Sequence, residues 1–221
     1  EPTDSTTEPT QDQEVSNAVI GVSIALKDIS SNTSTSIVGG KVVRQTTTVT
    51  LANSDIADAM KAITAGATSG LNEMVPVTGT PMDATTTGVY QVTSPDVMAQ
   101  YAKAITAGAT IAIPRAANLY GNTTALTNTQ QTDMQTMMKA ATAGAITALD
   151  QLTVPLGSGV TPVAIAGTSA ASTTPTGATV SPDNARNILL QSITEGGVTA
   201  AGNLGASGAS KANILSMVGS A

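Results

Sequence analysis

Three lysines stand in near-identical surroundings: Lys61-Ala62-Ile63-Thr64-Ala65-Gly66-Ala67, Lys103-Ala104-Ile105-Thr106-Ala107-Gly108-Ala109 and Lys139-Ala140-Ala141-Thr142-Ala143-Gly144-Ala145. A lysine held in a low-dielectric pocket can serve as a base or a Schiff-base amine, and a glycine-bearing backbone can cradle a phosphate. The neighbours needed for either chemistry are missing. No Ser stands three residues before a Lys, and neither GxxxxGK[ST] nor a complete GxGxxG accompanies the glycines. The lysines therefore read as solvated helix faces.

The rest of the composition points away from catalysis. There is no His, the commonest general base near neutral pH and the commonest metal ligand. There is no Cys, so disulfides, thiolate metal sites and thiol chemistry are excluded. Asp55 and Asp58 are paired carboxylates, but their place in a first helical turn is explained by compensation of the helix dipole. The acids never fall into a D-x-[DN]-x-[DN]-G loop, so no calcium site is expected. We expect no enzyme, no cofactor and no metal. The net charge is −6, with Glu1, Asp4, Glu8, Asp12 and Glu14 crowded at the start, and the nine basic residues are scattered singly. No stripe of Lys or Arg could neutralise a row of phosphates, so nucleic acid is not an expected partner.

The repeated segments carry an architectural message. A fainter copy is Gln191-Ser192-Ile193-Thr194-Glu195-Gly196-Gly197. Around them, Leu71-Asn72-Glu73-Met74 with Val75-Pro76 answers Leu149-Asp150-Gln151-Leu152 with Val154-Pro155, and Ser94-Pro95-Asp96 answers Ser181-Pro182-Asp183. The unit is a helix-linker-helix module present twice, of the kind that buries apolar faces against its own copies. Four helix starts share one grammar: Ser54-Asp55, Ser94-Pro95-Asp96, Thr132-Asp133 and Ser181-Pro182-Asp183 each place a capping hydroxyl before an acidic first turn. Ile56, Met60, Ile63, Ala67, Leu71 and Met74 step by three or four along the first helix, and Met134, Met138, Ala141, Ala145, Leu149 and Leu152 do so along the third. The second helix is expected to end before Pro114 and the fourth at about Gly202. Glycine inside a helix costs about 1 kcal/mol relative to Ala. We therefore expect Gly66, Gly108, Gly144 and Gly196 at close helix crossings, where a missing side chain lets two axes approach.

Ahead of the helices, residues 1–17 form an acidic Thr- and Pro-bearing segment expected to be a tail. Ile20, Val22, Ile24 and Leu26 alternate with small or polar residues, the period of a half-buried strand. A second strand should end at Ile37-Val38, with Gly39-Gly40 as hairpin turn, and a third run from Lys41 to Leu51. Residues 75–93 and 153–180 read as strand pairs or ordered loops, and 115–131 as an irregular connector. After Gly202 comes a Gly- and Ser-rich stretch, with Gly205 and Gly208, that ends in the apolar set Ala212, Ile214, Leu215, Met217 and Val218. Asn32 and Asn122 fit the N-glycosylation sequon, so attached glycan is allowed, and Thr46, Thr48 and Thr50 share one strand face.

The reading is thus α+β: an N-terminal antiparallel β region over 18–52, a first helix-linker-helix module over 53–114, the connector 115–131, a second module over 132–204 and a tail over 205–221. Roughly one residue in six is Thr, far above ordinary usage, and there is no Phe or Trp. Burying Ala gains far less than the roughly 1.5–3 kcal/mol of a Leu, Ile or Met, so contacts between subunits are expected to supply stability. No apolar run is long enough to span a bilayer, and Glu1 without a preceding Met reads as following a removed leader. We expect a non-enzymatic structural subunit whose partners are copies of itself, assembling into an extracellular filament, surface layer, or virion shell or tail. The alternative is a secreted monomeric binding module, an adhesin or a glycan- or ice-binding protein, working through a Thr-rich surface. In the assembling form, the strand Ile20 to Leu26 would complete a neighbour's sheet.

Overall fold

The computed structural model describes residues 10–26, 31–48, 51–75, 92–117, 119, 126–157, 159–166 and 174–204. Among them are five helices and two small antiparallel sheets of two strands: α1 (Gln11–Ala25), β1 (Ser31–Val38), β2 (Lys41–Thr48), α2 (Asn53–Ser69), α3 (Pro95–Ala116), α4 (Asn128–Ala148), β3 (Thr153–Val154), β4 (Val163–Ala164) and α5 (Pro182–Leu204).

The first of these elements corrects the sequence reading. Ile20, Val22, Ile24 and Leu26 lie in and at the end of a helix, and its first residues fall within what was read as a tail. Thr10 and Gln13 form a capping box, with the Thr10 N–H donating to the Gln13 side-chain oxygen at 3.0 Å. Val19 and Leu26 are buried with Ser23, a helical spacing that puts β-branched residues to use on a packed face. Tertiary packing overrides strand propensity here. Since α1 is a helix, it cannot complete a neighbour's sheet, and the strand-exchange mechanism is withdrawn.

The hairpin follows its turn chemistry. Val38 pairs with Lys41, and Gly39 and Gly40 have φ of 59° and 78°, both in the left-handed region that a two-residue type I′ turn demands. Ile37 and Val42 face each other next to the turn, 75% and 69% exposed. Asn32 lies in β1 opposite Thr47. Thr46 and Thr48 lie in β2, whereas Thr50 and Asn122 fall outside the described residues.

The helix starts hold in part. Ser94 Oγ accepts from the Val97 N–H and Ser181 Oγ from the Asn184 N–H, both at 3.3 Å. The third of the expected starts is displaced: α4 begins at Asn128, because Thr127 and Gln130 make a capping box upstream of Thr132-Asp133. Thr132 instead turns its hydroxyl back to the Asn128 carbonyl inside the helix. Ser54 likewise lies within the first turn of α2, after Ala52. Pro114 does not stop α3, which runs on to Ala116; one missing donor in a last turn is tolerated, and the Ala117 N–H still reaches the Ile113 carbonyl at 2.8 Å. At the other end, Gly202 falls inside α5 and is not loop.

The helices share one core built on Met, Leu, Ile and Ala. Ile56, Met60 and Leu71 are buried on the α2 side, and Met134, Met138, Ala141, Ala145, Leu149 and Leu152 on the α4 side, while Ile63, Ala67 and Met74 are half-buried against them. Helix α3 is the central element, covered along most of its length. The loop after β3 contributes Leu156 and Val160 to the core, and Ile165 joins them just after β4. We expect Met138→Ala to lower stability by about 2–5 kcal/mol, as core truncations do, checked by denaturant unfolding against Lys139→Ala at an exposed position of α4, which should be near neutral.

Candidate functional site

The glycines decide where helices touch. A Cβ built on Gly144 would penetrate the Lys61 carbonyl oxygen and the Thr64 hydroxyl. One on Gly196 would strike the Lys103 carbonyl, and one on Gly108 the Ser16 carbonyl. In each case the obstacle is backbone of a neighbouring helix, so no rotamer change could relieve it. Helix α3 thus lies on α1, α5 on α3 and α4 on α2, all through one device.

Polar side chains fix the register of these crossings. The Thr64 hydroxyl lies 2.8 Å from the Ala141 carbonyl and 3.0 Å from that of Met60 in its own helix, so its one proton bridges α2 and α4. Asn53 donates to Asp133 Oδ2 at 2.7 Å, and Asn72 donates to the Gln151 carbonyl at 2.7 Å and accepts from the Thr153 N–H. Partner numbers rise together along both chains, so α2 and α4 run parallel. The same holds where Gln11 meets Tyr101 and Ser16 meets Gly108, and where Lys103 meets Glu195 and Gly196, and Thr106 meets Gly197. The result is two rows of parallel helices, α1-α3-α5 and α2-α4. Sequential helices touch as well, from α1·α2 through α4·α5, so the rows are staggered against each other.

The sequence reading named four glycines for crossings, and the structure brings three of them into such contacts. Gly66 is the exception: it is exposed, with open space where a Cβ would go. No helix of the described residues lies on that side of α2. Gly21 in α1 is in the same condition. Its segment, Ser16-Asn17-Ala18-Val19-Ile20-Gly21-Val22, keeps the spacing between crossing residue and glycine that Lys61 to Gly66 and Lys103 to Gly108 have, with Ser16 carrying the contacted carbonyl. This fifth copy escaped the sequence reading because only Gly21 matches every other copy, and Ala18 matches Ala141 alone; the spacing was the available signal.

Lys61 and Lys139 are exposed, and Lys103 pairs with Glu195 across the α3-α5 crossing. Among the described residues no three acidic groups gather as a metal would require, and no helix is long and apolar enough to cross a membrane. One ionisable group is set by packing: the Tyr101 hydroxyl donates to Gln11 Oε1 at 2.7 Å, and its pKa is raised first by burial and then by the nearby Asp12 carboxylate. What these residues do together is hold helices at backbone contact and in register, and among the described residues no helix covers Gly21 at one end of the first row or Gly66 at one end of the second. No protein-family model, curated protein or solved structure matches the chain.

Opposite signs are expected for equivalent glycines. Gly144→Ala should destabilise by about 1–3 kcal/mol, because the added methyl meets Lys61 backbone, whereas Gly66→Ala should stabilise by about 1 kcal/mol through helix propensity; paired thermal melts check both. For Tyr101, a folded pKa above the ordinary value of about 10 means that its contribution is complete below that pH and is lost as pH climbs through the folded value. Wild type should therefore lose stability in this alkaline range relative to Tyr101→Phe, measured as melting temperature against pH.

Proposed function

We propose that this chain is a non-enzymatic structural subunit that self-assembles into an extracellular filament, surface layer, or virion shell or tail. The observation that carries the reading is the uncovered pair Gly21 and Gly66. Three glycines of the same motif are each covered by a backbone carbonyl of a parallel helix, and these two present the same bare helix surface outward. Glycine in an exposed helix interior is a net cost of about 1 kcal/mol each, and a contact made only on assembly offsets it. The helical part is read as a duplicated module, α2-α3 and α4-α5, with α1 as a further half. Supporting that reading, the Val92 N–H bonds to the Met74 carbonyl after α2, and the Ile165 N–H bonds to the Leu152 carbonyl after α4. Open rows of this type grow by adding like units.

The alternative, a monomeric binding module with a Thr-rich surface, makes a different demand in solution. Light scattering after size exclusion, followed by negative-stain imaging over a range of protein concentrations, is the test. Ordered polymers that grow with concentration are expected. A monodisperse monomer at every concentration would return the function to the binding reading.

A further inference from the structure

Building on the assembly reading, we infer that copies join head to tail through α1 of one copy lying on α5 of the next, in the register with which α3 lies on α1 and α5 on α3. The inference names which face meets which, and it comes from extending the α1-α3-α5 row by one step. Within that row, each later helix brings its glycine to the earlier helix at the residue five positions before that helix's own glycine: Gly108 to Ser16, and Gly196 to Lys103. The next step pairs Gly21 of an incoming copy with Gln191, the residue in α5 that corresponds to Lys103 in α3.

Both faces are available. In α1, Asn17, Ala18, Gly21 and Ala25 are exposed, at the positions where α3 has Ala104, Ile105, Gly108 and Ala112, all buried. Val22, beside them, is 54% exposed. On α5, Gln191 and Thr194 are exposed and Leu190 and Val198 half-buried, at positions where α3 presents Lys103, Thr106, Ala102 and Thr110 to its neighbour.

Side chains flank each crossing in one register. Five residues before the contacted carbonyl and seven before the glycine, the α1-α3 crossing places Gln11 opposite Tyr101, hydrogen-bonded at 2.7 Å. The corresponding positions at the other two crossings are Ile56 with Met137 and Met98 with Leu189, apolar and buried on both sides. For α5 with an incoming α1 they are Arg186 and Glu14, and Arg186 is already held within its own chain by Asp150 at 2.8 Å and the Ile165 carbonyl at 2.9 Å. The joint therefore rests on the repeated glycine register, in which α5 is the element that presents the next carbonyl of the row. A second copy of this chain is the occupant of the α1 face. In the staggered second row this step leaves one helix position between α4 of one copy and α2 of the next, bordered by Gly66.

The chain has no Cys, so engineered thiols report contacts without background. Lys103 and Glu195 side chains meet across the α3-α5 crossing, and the equivalent positions across the joint are Gln191 and Ile20. The double variant Ile20→Cys with Gln191→Cys should form a disulfide-linked ladder of many copies on mild oxidation, and each single variant no more than dimers. Gly21→Leu is the second variant: it has room in the single chain, so its melting temperature should hold or rise while polymers disappear. Polymers of wild-type length from Gly21→Leu, or polymers of the double variant that give no ladder, overturn the joint and leave the assembly reading standing. A wild-type chain that stays monomeric at all concentrations overturns both.

Discussion

Backbone contact between helices is the constraint from which the rest of the structure follows. At Gly108, Gly144 and Gly196 a carbonyl oxygen of the neighbouring helix occupies the space a Cβ would need, so those helices can approach only where the side chain is absent. Close approach then makes small residues the right filling. Ala102, Ala109, Ala112, Ala141 and Ala145 are fully buried, and they make dense contact in a gap that a Leu could not enter. The aromatic-poor composition fits this spacing: Gly, Ala and Thr line the closest contacts, and Met, Leu and Ile fill the rest of the core.

The same closeness explains the threonines. In α3 the Thr106 and Thr110 hydroxyls donate to the carbonyls one turn earlier, at 3.0 and 2.9 Å, and are fully buried. A threonine satisfied by its own helix behaves as a compact, β-branched hydrophobe and can line a tight crossing. Thr64 goes further by sharing its proton with Ala141 across the interface. A polar inventory that suggests a wet surface in the sequence is, in part, interior packing.

How much was legible in the sequence depended on how local the deciding force was. Ser94-Pro95-Asp96 and Ser181-Pro182-Asp183 were readable because a cap acts within one turn, and Gly39-Gly40 because positive φ is a property of the residue. The repeated Lys-to-Gly segments showed that glycine would sit at crossings. They could not show which glycine would be covered, since that depends on whether another helix follows in the row. Helix α1 was misread for a related reason. Its Val19, Ile20, Val22 and Ile24 favour a strand locally, and its fully buried apolar residues are Val19 and Leu26, with Ser23 buried between them and Val15 half-buried beside them. The force that makes it a helix is its fit against Gly108, far away in the chain. Thr127 outcompeted Thr132 as a cap because Gln130 completes the reciprocal bonds, a signal three residues long that the acidic Asp133 masked.

The parallel order has an electrostatic consequence. Within the α1-α3-α5 row every peptide dipole points the same way, but the register sets each helix start more than a turn beyond that of the helix before it, since Gln11 at the start of α1 meets Tyr101 and Lys103 meets Glu195. Asp12 and Glu14 of α1, Asp96 of α3 and Asp183 of α5 each lie in a first turn. Each carboxylate therefore faces the positive amide end of its own helix, and the stagger keeps like ends, and the acids that compensate them, from lying side by side.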